Sequence, residues 1–137
     1  MMTIQERFEA YEMYRGELEA DLCMLADVLY LDRLETDGNI NELGQMLRRI
    51  EASVDFTASE SIEKRLEHAR MRFKQLTLLE WAIRSRPKRQ QEILHGLYVE
   101  RLSWRELVDT LHVSPMTISR DRAQAFSDLK DVLTENW

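Results

Sequence analysis

The sequence predicts an all-α protein, with a long helical hairpin or bundle leading into a C-terminal three- to four-helix domain that contains a helix-turn-helix. Three observations predict it. Glycine and proline number only four and two in 137 residues, so helix breakers are scarce. Apolar residues recur at spacings of three and four over most of the chain, the period of one helix face. No stretch alternates apolar and polar residues for long, as a half-buried strand would. Hydrophobic residues make up 44%, enough for a packed core.

The first element is expected over residues 3–34 as one helix. Ile4, Phe8, Tyr11, Leu18, Leu22, Leu25 and Leu29 follow one another at spacings of four and three, with Arg15 in the vacant slot. That is a heptad seam. Tyr14, Ala26 and Val28 widen the stripe, and Gly16 weakens it beside Arg15. Asp37-Gly38-Asn39 is a turn signal. A shorter helix follows, with Ile40, Leu43, Leu47, Ile50 and Val54 on one face. Asp55 to Ser59 is a polar connection in which Thr57 and Ser59 both offer capping chemistry. The third helix is expected over about 60–84, carrying Ile62, Leu66, Ala69, Phe73, Leu76 and Ile83, with Leu79 and Trp81 broadening its end. Pro87 stops it.

Charge divides the chain near the same place. Residues 1–83 hold 10 Lys/Arg against 17 Asp/Glu, whereas residues 84–137 hold 9 against 8. We therefore expect an acidic helical domain at 1–85, for self-association or partner binding, and a second domain at 86–137. The first helices either fold back as a bundle within the chain or pair with another copy. A homodimer is the expectation, with Phe8, Tyr11, Leu18, Leu22, Leu25 and Leu29 as its seam.

From Pro87 onward the sequence reads as helix, loop, helix, tight turn, helix. Ile93, Leu94, Leu97 and Tyr98 give the first of these an apolar face. Ser103-Trp104-Arg105-Glu106 is a capping box. It opens a short helix to Leu111 with Trp104, Leu107, Val108 and Leu111 on one side, Trp104 being the expected plug of the core. His112-Val113 forms the turn; His tolerates the left-handed region better than most residues. Ser114-Pro115 then offers a cap and a proline at the first helical position. Ile118, Ala125, Leu129 and Val132 give the last helix its inner face.

Two short helices joined by a turn of about three or four residues are the plan of a helix-turn-helix, whose second helix enters the major groove. Pro115, Met116, Thr117, Ser119 and Arg120 are the expected base-reading residues on that helix, since an arginine can bind guanine O6 and N7 together. Arg86, Lys88, Arg89, Ser103, Trp104, Arg105 and Arg122 are the expected phosphate contacts, the first residues of the capped helix through free N–H groups. A net charge of −6 weakens non-specific attraction to a polyanion.

Arg89-Gln90-Gln91-Glu92-Ile93-Leu94 through Tyr98, Leu102-Ser103-Trp104-Arg105-Glu106-Leu107, Val113-Ser114 through Ile118-Ser119-Arg120, and Ala125-Phe126-Ser127-Asp128-Leu129 together resemble region 4 of sigma-70 factors. The resemblance covers about the last 50 residues. It implies promoter recognition and contact with RNA polymerase, with base-reading slots at Pro115, Met116, Ser119 and Arg120. Primary sigma factors carry charged or amide groups at those slots, and Pro115 and Met116 depart from this, so a standard −35 element is not the expected target. The layout as a whole is similar to small phage and prophage activators of late genes, of the autolysin-regulator and packaging-regulator type. It implies a transcription regulator of lysis, packaging or structural genes in the cytoplasm of a bacterial host. Two alternatives are a sigma-like module that binds polymerase or a sigma factor without reading DNA, and a phage DNA-packaging adaptor.

Other chemistries find little purchase. His68, His95 and His112 are far apart and no pair has zinc-ligand spacing, so no metal is expected. There is no Gly-rich phosphate loop or paired-carboxylate signature, so neither a cofactor nor enzyme activity is expected. No apolar run approaches the ~18 residues of a membrane span, and no secretory signal pattern opens the chain. Cys23 is the single cysteine, which suits a reducing compartment.

Overall fold

The computed structural model describes residues 2–32, 39–55 and 58–137. The protein is all-α, and no strand occurs among the described residues. Its helices are α1 (Ile4–Glu9), α2 (Tyr11–Val28), α3 (Ile40–Ser53), α4 (Glu60–Arg84), α5 (Lys88–Leu94), α6 (Trp104–Leu111) and α7 (Pro115–Asn136), with a turn of π-helix at His95–Val99 continuing α5. No described helix is long and apolar enough to cross a membrane.

The single helix expected over residues 3–34 is instead two helices. The break falls at Ala10, after α1, which opens with the Thr3 side chain accepting from the Glu6 backbone N–H. α2 stops at Val28, before the expected end. There Tyr30 takes the left-handed conformation, φ 57°. Its N–H donates to the Asp27 carbonyl, and the Leu31 N–H donates to that of Ala26 at 2.8 Å. This is a Schellman closure, with tyrosine where glycine is usual. Of the expected turn Asp37-Gly38-Asn39, the first two residues lie outside the described ones, and Asn39 caps α3 through its side chain. Thr57 also lies outside the described residues, whereas Ser59 accepts from the Ile62 N–H at the start of α4.

The chain forms two compact units, Met13–Thr77 and Met1–Glu12 with Leu78–Trp137. This differs from the boundary expected near 85–86. The first twelve residues, and the last turns of α4, go with the C-terminal helices.

In the 13–77 unit the stripes of three helices are buried: Tyr14, Leu18, Leu22 and Leu25 of α2, Leu43, Met46, Leu47 and Ile50 of α3, and Leu66, Ala69 and Leu76 of α4. Gly44 permits a close approach, since a Cβ there would lie 2.8 Å from the Phe73 ring. Buried Asp21 accepts from Arg65 at 3.0 Å and pairs with the His68 ring. Arg72 pairs with Glu17 and lies over the Tyr14 ring at 4.5 Å.

The second unit is closed by α1, which packs on α7. Phe8 is fully buried beside the rings of Tyr98 and Phe126. Arg7, also buried, donates to the Leu133 carbonyl near the end of α7, and its guanidinium lies over the Trp137 ring at 4.8 Å. A cation suits the negative end of a helix. The Tyr11 hydroxyl bonds the Glu80 carboxylate at 2.7 Å.

These placements correct the expected self-association seam. Phe8, Tyr11, Leu18, Leu22 and Leu25 are buried within one chain, and Leu29 is partly buried. A 3–4 stripe records only that a face is covered; here the chain itself covers it.

Candidate nucleic-acid interface

The three C-terminal helices meet around Ile93 of α5, Leu107 of α6 and Ile118 of α7, all buried, with Leu97, Leu102, Val108, Leu111 and Val113 packed around them. Gly96 lets the π-helical turn approach α6: a Cβ there would lie 2.7 Å from Leu107 Cδ1. The Gln91 side chain donates to the carbonyls of Arg84 and Arg86, fastening the start of α5 to the end of α4.

Local sequence fixes the junction of α6 and α7. Both halves of the Ser103–Glu106 capping box form. The Glu106 N–H donates to Ser103 Oγ at 3.1 Å, and the Ser103 N–H donates to the Glu106 carboxylate at 3.4 Å. α6 ends at His112, held at φ 56° and ψ 40°, with its N–H donating to the Val108 carbonyl. Two residues later Ser114 Oγ accepts from the Thr117 N–H, with Pro115 opening α7. The left-handed residue turns the chain sharply, and the second cap restarts it. Trp104 does not plug this core. It is 36% exposed, because the first position of α6 faces outward while Leu107 and Ile118 fill the interior.

The expected base-reading residues divide in two. Pro115, Met116, Ser119 and Arg120 are exposed together on the first turns of α7, Met116 at 69%. Arg120 has no ion-pair partner among the described residues. Thr117 is half-buried, and its hydroxyl lies 3.0 Å from that of Ser114, so it belongs to the cap as much as to the outer face.

The expected phosphate contacts divide similarly. Lys88 and Arg105 are exposed and unpaired among the described residues, and Ser103 and Trp104 are exposed at the α6 N-terminus. Arg86 pairs with Asp128 at 3.0 Å, and Arg89 binds both oxygens of Asp121. Arg122 lies over the Trp104 ring at 5.0 Å and donates to the Tyr98 hydroxyl at 3.4 Å. These three arginines join helices within the unit. Burial pushes the Tyr98 phenol above its ordinary value, outweighing the Arg122 charge that pulls it down.

Sequence reading missed the two ion pairs because each links residues more than thirty positions apart. One signal was available: Asp121 and Asp128 lie two helical turns apart on α7, and the basic Arg86–Arg89 cluster needs counter-charges. No protein-family model, curated protein or solved structure matches the chain.

Proposed function

We propose that the chain binds double-stranded DNA sequence-specifically through α6, the turn at His112 and α7, and regulates transcription together with RNA polymerase, in the manner of a phage late-gene activator. The observation that carries this reading is the exposed quartet Pro115, Met116, Ser119 and Arg120 on the first turns of a helix whose opposite side is anchored by buried Ile118. Such a helix end offers chemistry that base edges can answer. Arg120 can bind guanine O6 and N7 together, Ser119 can donate or accept, and Met116 can pack on a thymine methyl. Arg105, Lys88 and the free N–H groups at the start of α6 are the phosphate contacts of this reading. Arg86, Arg89 and Arg122 position helices instead.

The same ion pairs favour a second reading, a module that binds polymerase or a sigma factor without reading DNA. Of the five basic side chains proposed to touch phosphate, besides Arg120, three are occupied internally, and the chain carries −6 overall. Fewer neutralised phosphates mean weaker binding and a shallower salt dependence.

Selection of bound duplexes from a random pool by the full chain separates the two. The first reading expects an enriched motif, and Arg120→Ala should weaken binding to it by ~1–3 kcal/mol with relaxed preference at one base pair. No enrichment, with retention of polymerase by the same protein, would support the second reading.

A further inference from the structure

We propose that the groove between the end of α4, the α5–π segment and α6 binds a small organic amine with an apolar body. The groove has a volume of about 610 Å³ and lies wholly within the C-terminal unit. That is the size of a site for a drug-sized ligand. Its walls include Ile83, Leu102, Leu107 and Leu111. Leu102 and Leu111 are only partly buried, so apolar surface faces the opening.

Three carboxylates share this groove, those of Glu80, Glu92 and Glu100. Glu80 accepts from the Tyr11 hydroxyl, and Glu100 is bonded to the His95 ring at 3.0 Å. Glu92 is exposed and has no hydrogen-bond or ion-pair partner among the described residues. Arg84 is the one permanent cation among the described residues of the lining, and His95 is already committed to Glu100. Three carboxylates against one guanidinium leave these four side chains doubly negative, over an apolar surface.

That combination selects the ligand class. A carboxylate beside low-dielectric walls attracts a cation more strongly than one in open water. No phenylalanine, tyrosine or tryptophan lines the groove among the described residues, so a quaternary ammonium would lack the cage it prefers. A primary or secondary ammonium can donate to Glu92 while its hydrocarbon part covers the leucines. An anion would meet three carboxylates and is excluded by charge. A ligand seated there would touch α4, α5 and α6 at once and brace their packing. Occupation of this groove does not require that α7 read DNA.

The test is a fluorescence titration of the full chain with dansylcadaverine, whose primary ammonium is carried on an apolar fluorophore, against neutral dansylamide. Saturable one-to-one binding is expected, with dansylamide weaker by about tenfold. Glu92→Gln should weaken dansylcadaverine by about threefold to fivefold, the range of an exposed ion pair. Thr110→Arg, which places a cation and extra bulk at the groove wall, should abolish binding while circular dichroism shows the helices intact. Equal affinity for the two dansyl compounds would overturn the proposal, as would binding unchanged in both variants. Sedimentation showing a second copy of the chain that dissociates on Thr110→Arg would also overturn it, by identifying the occupant as protein.

Discussion

Phe8 stacks on Phe126, with ring centroids 5.5 Å apart and planes inclined by 30°. Tyr98 completes the cluster at 5.5 Å from Phe8 and 6.1 Å from Phe126. A residue from the first helix thus sits where the π-helical turn and α7 converge.

Phe8→Ala should therefore destabilise the C-terminal unit by about 3–5 kcal/mol, the usual cost of emptying a buried phenylalanine site. Urea unfolding followed by Trp fluorescence would measure it. A chain starting at residue 13 should lose the unit altogether. If residues 78–137 alone unfold at the same midpoint as the full chain, α1 is an ornament of the unit rather than part of it.

The internal ion pairs make a prediction about salt. On a DNA target, Lys88→Ala and Arg105→Ala should each lower the slope of log K against log salt by ~0.9, one phosphate contact apiece. Arg89→Ala should leave the slope nearly unchanged and lower stability instead, because it deprives half-buried Asp121 of its partner. The reverse pattern would mean that Arg89 leaves Asp121 on binding.

Three glycines supply a matched series. Gly16 is exposed within α2, and a Cβ there meets nothing within 4 Å. Gly16→Ala should stabilise by ~1 kcal/mol through helix propensity alone. Gly44→Ala and Gly96→Ala should destabilise by about 1–3 kcal/mol, because a methyl would press on the Phe73 ring or the Leu107 side chain. Thermal melts of the three variants would check the opposed signs.

Tyr98 predicts an alkaline limit. Its phenol is held above the ordinary value of 10.0, so the unfolded chain releases that proton first as pH rises. The stabilisation is complete below the ordinary value and is lost as pH climbs through the raised one. Urea midpoints between about pH 8 and pH 11 should fall more steeply for the native chain than for Tyr98→Phe. Parallel curves would remove Tyr98 as the cause.

The helices were legible because their signals are local. The Ser103–Glu106 box, the Ser114-Pro115 start and the left-handed His112 each depend on a few neighbouring residues, and each forms as its chemistry requires. The partners of apolar faces were not legible. Phe8 and Leu18 sit in one heptad register, yet the first is buried in the C-terminal unit and the second in the other. Hydrophobic period reports that a face is covered and is silent about what covers it. The candidate site was half legible for the same reason. Exposure of Met116, Ser119 and Arg120 follows from helix period around Ile118, whereas the pairing of Arg86 and Arg89 depends on how α5 meets α7.

The bond from Arg7 to the Leu133 carbonyl joins positions 126 residues apart. During synthesis Arg7 emerges 126 residues ahead of its acceptor. Helices of the 13–77 unit can collapse as they leave the ribosome, while α1 must wait for α7 before Phe8 and Arg7 find cover. Closing so long a loop is slow relative to local helix packing. Until then Phe8 is exposed, and the surface on α7 that would receive it is unformed.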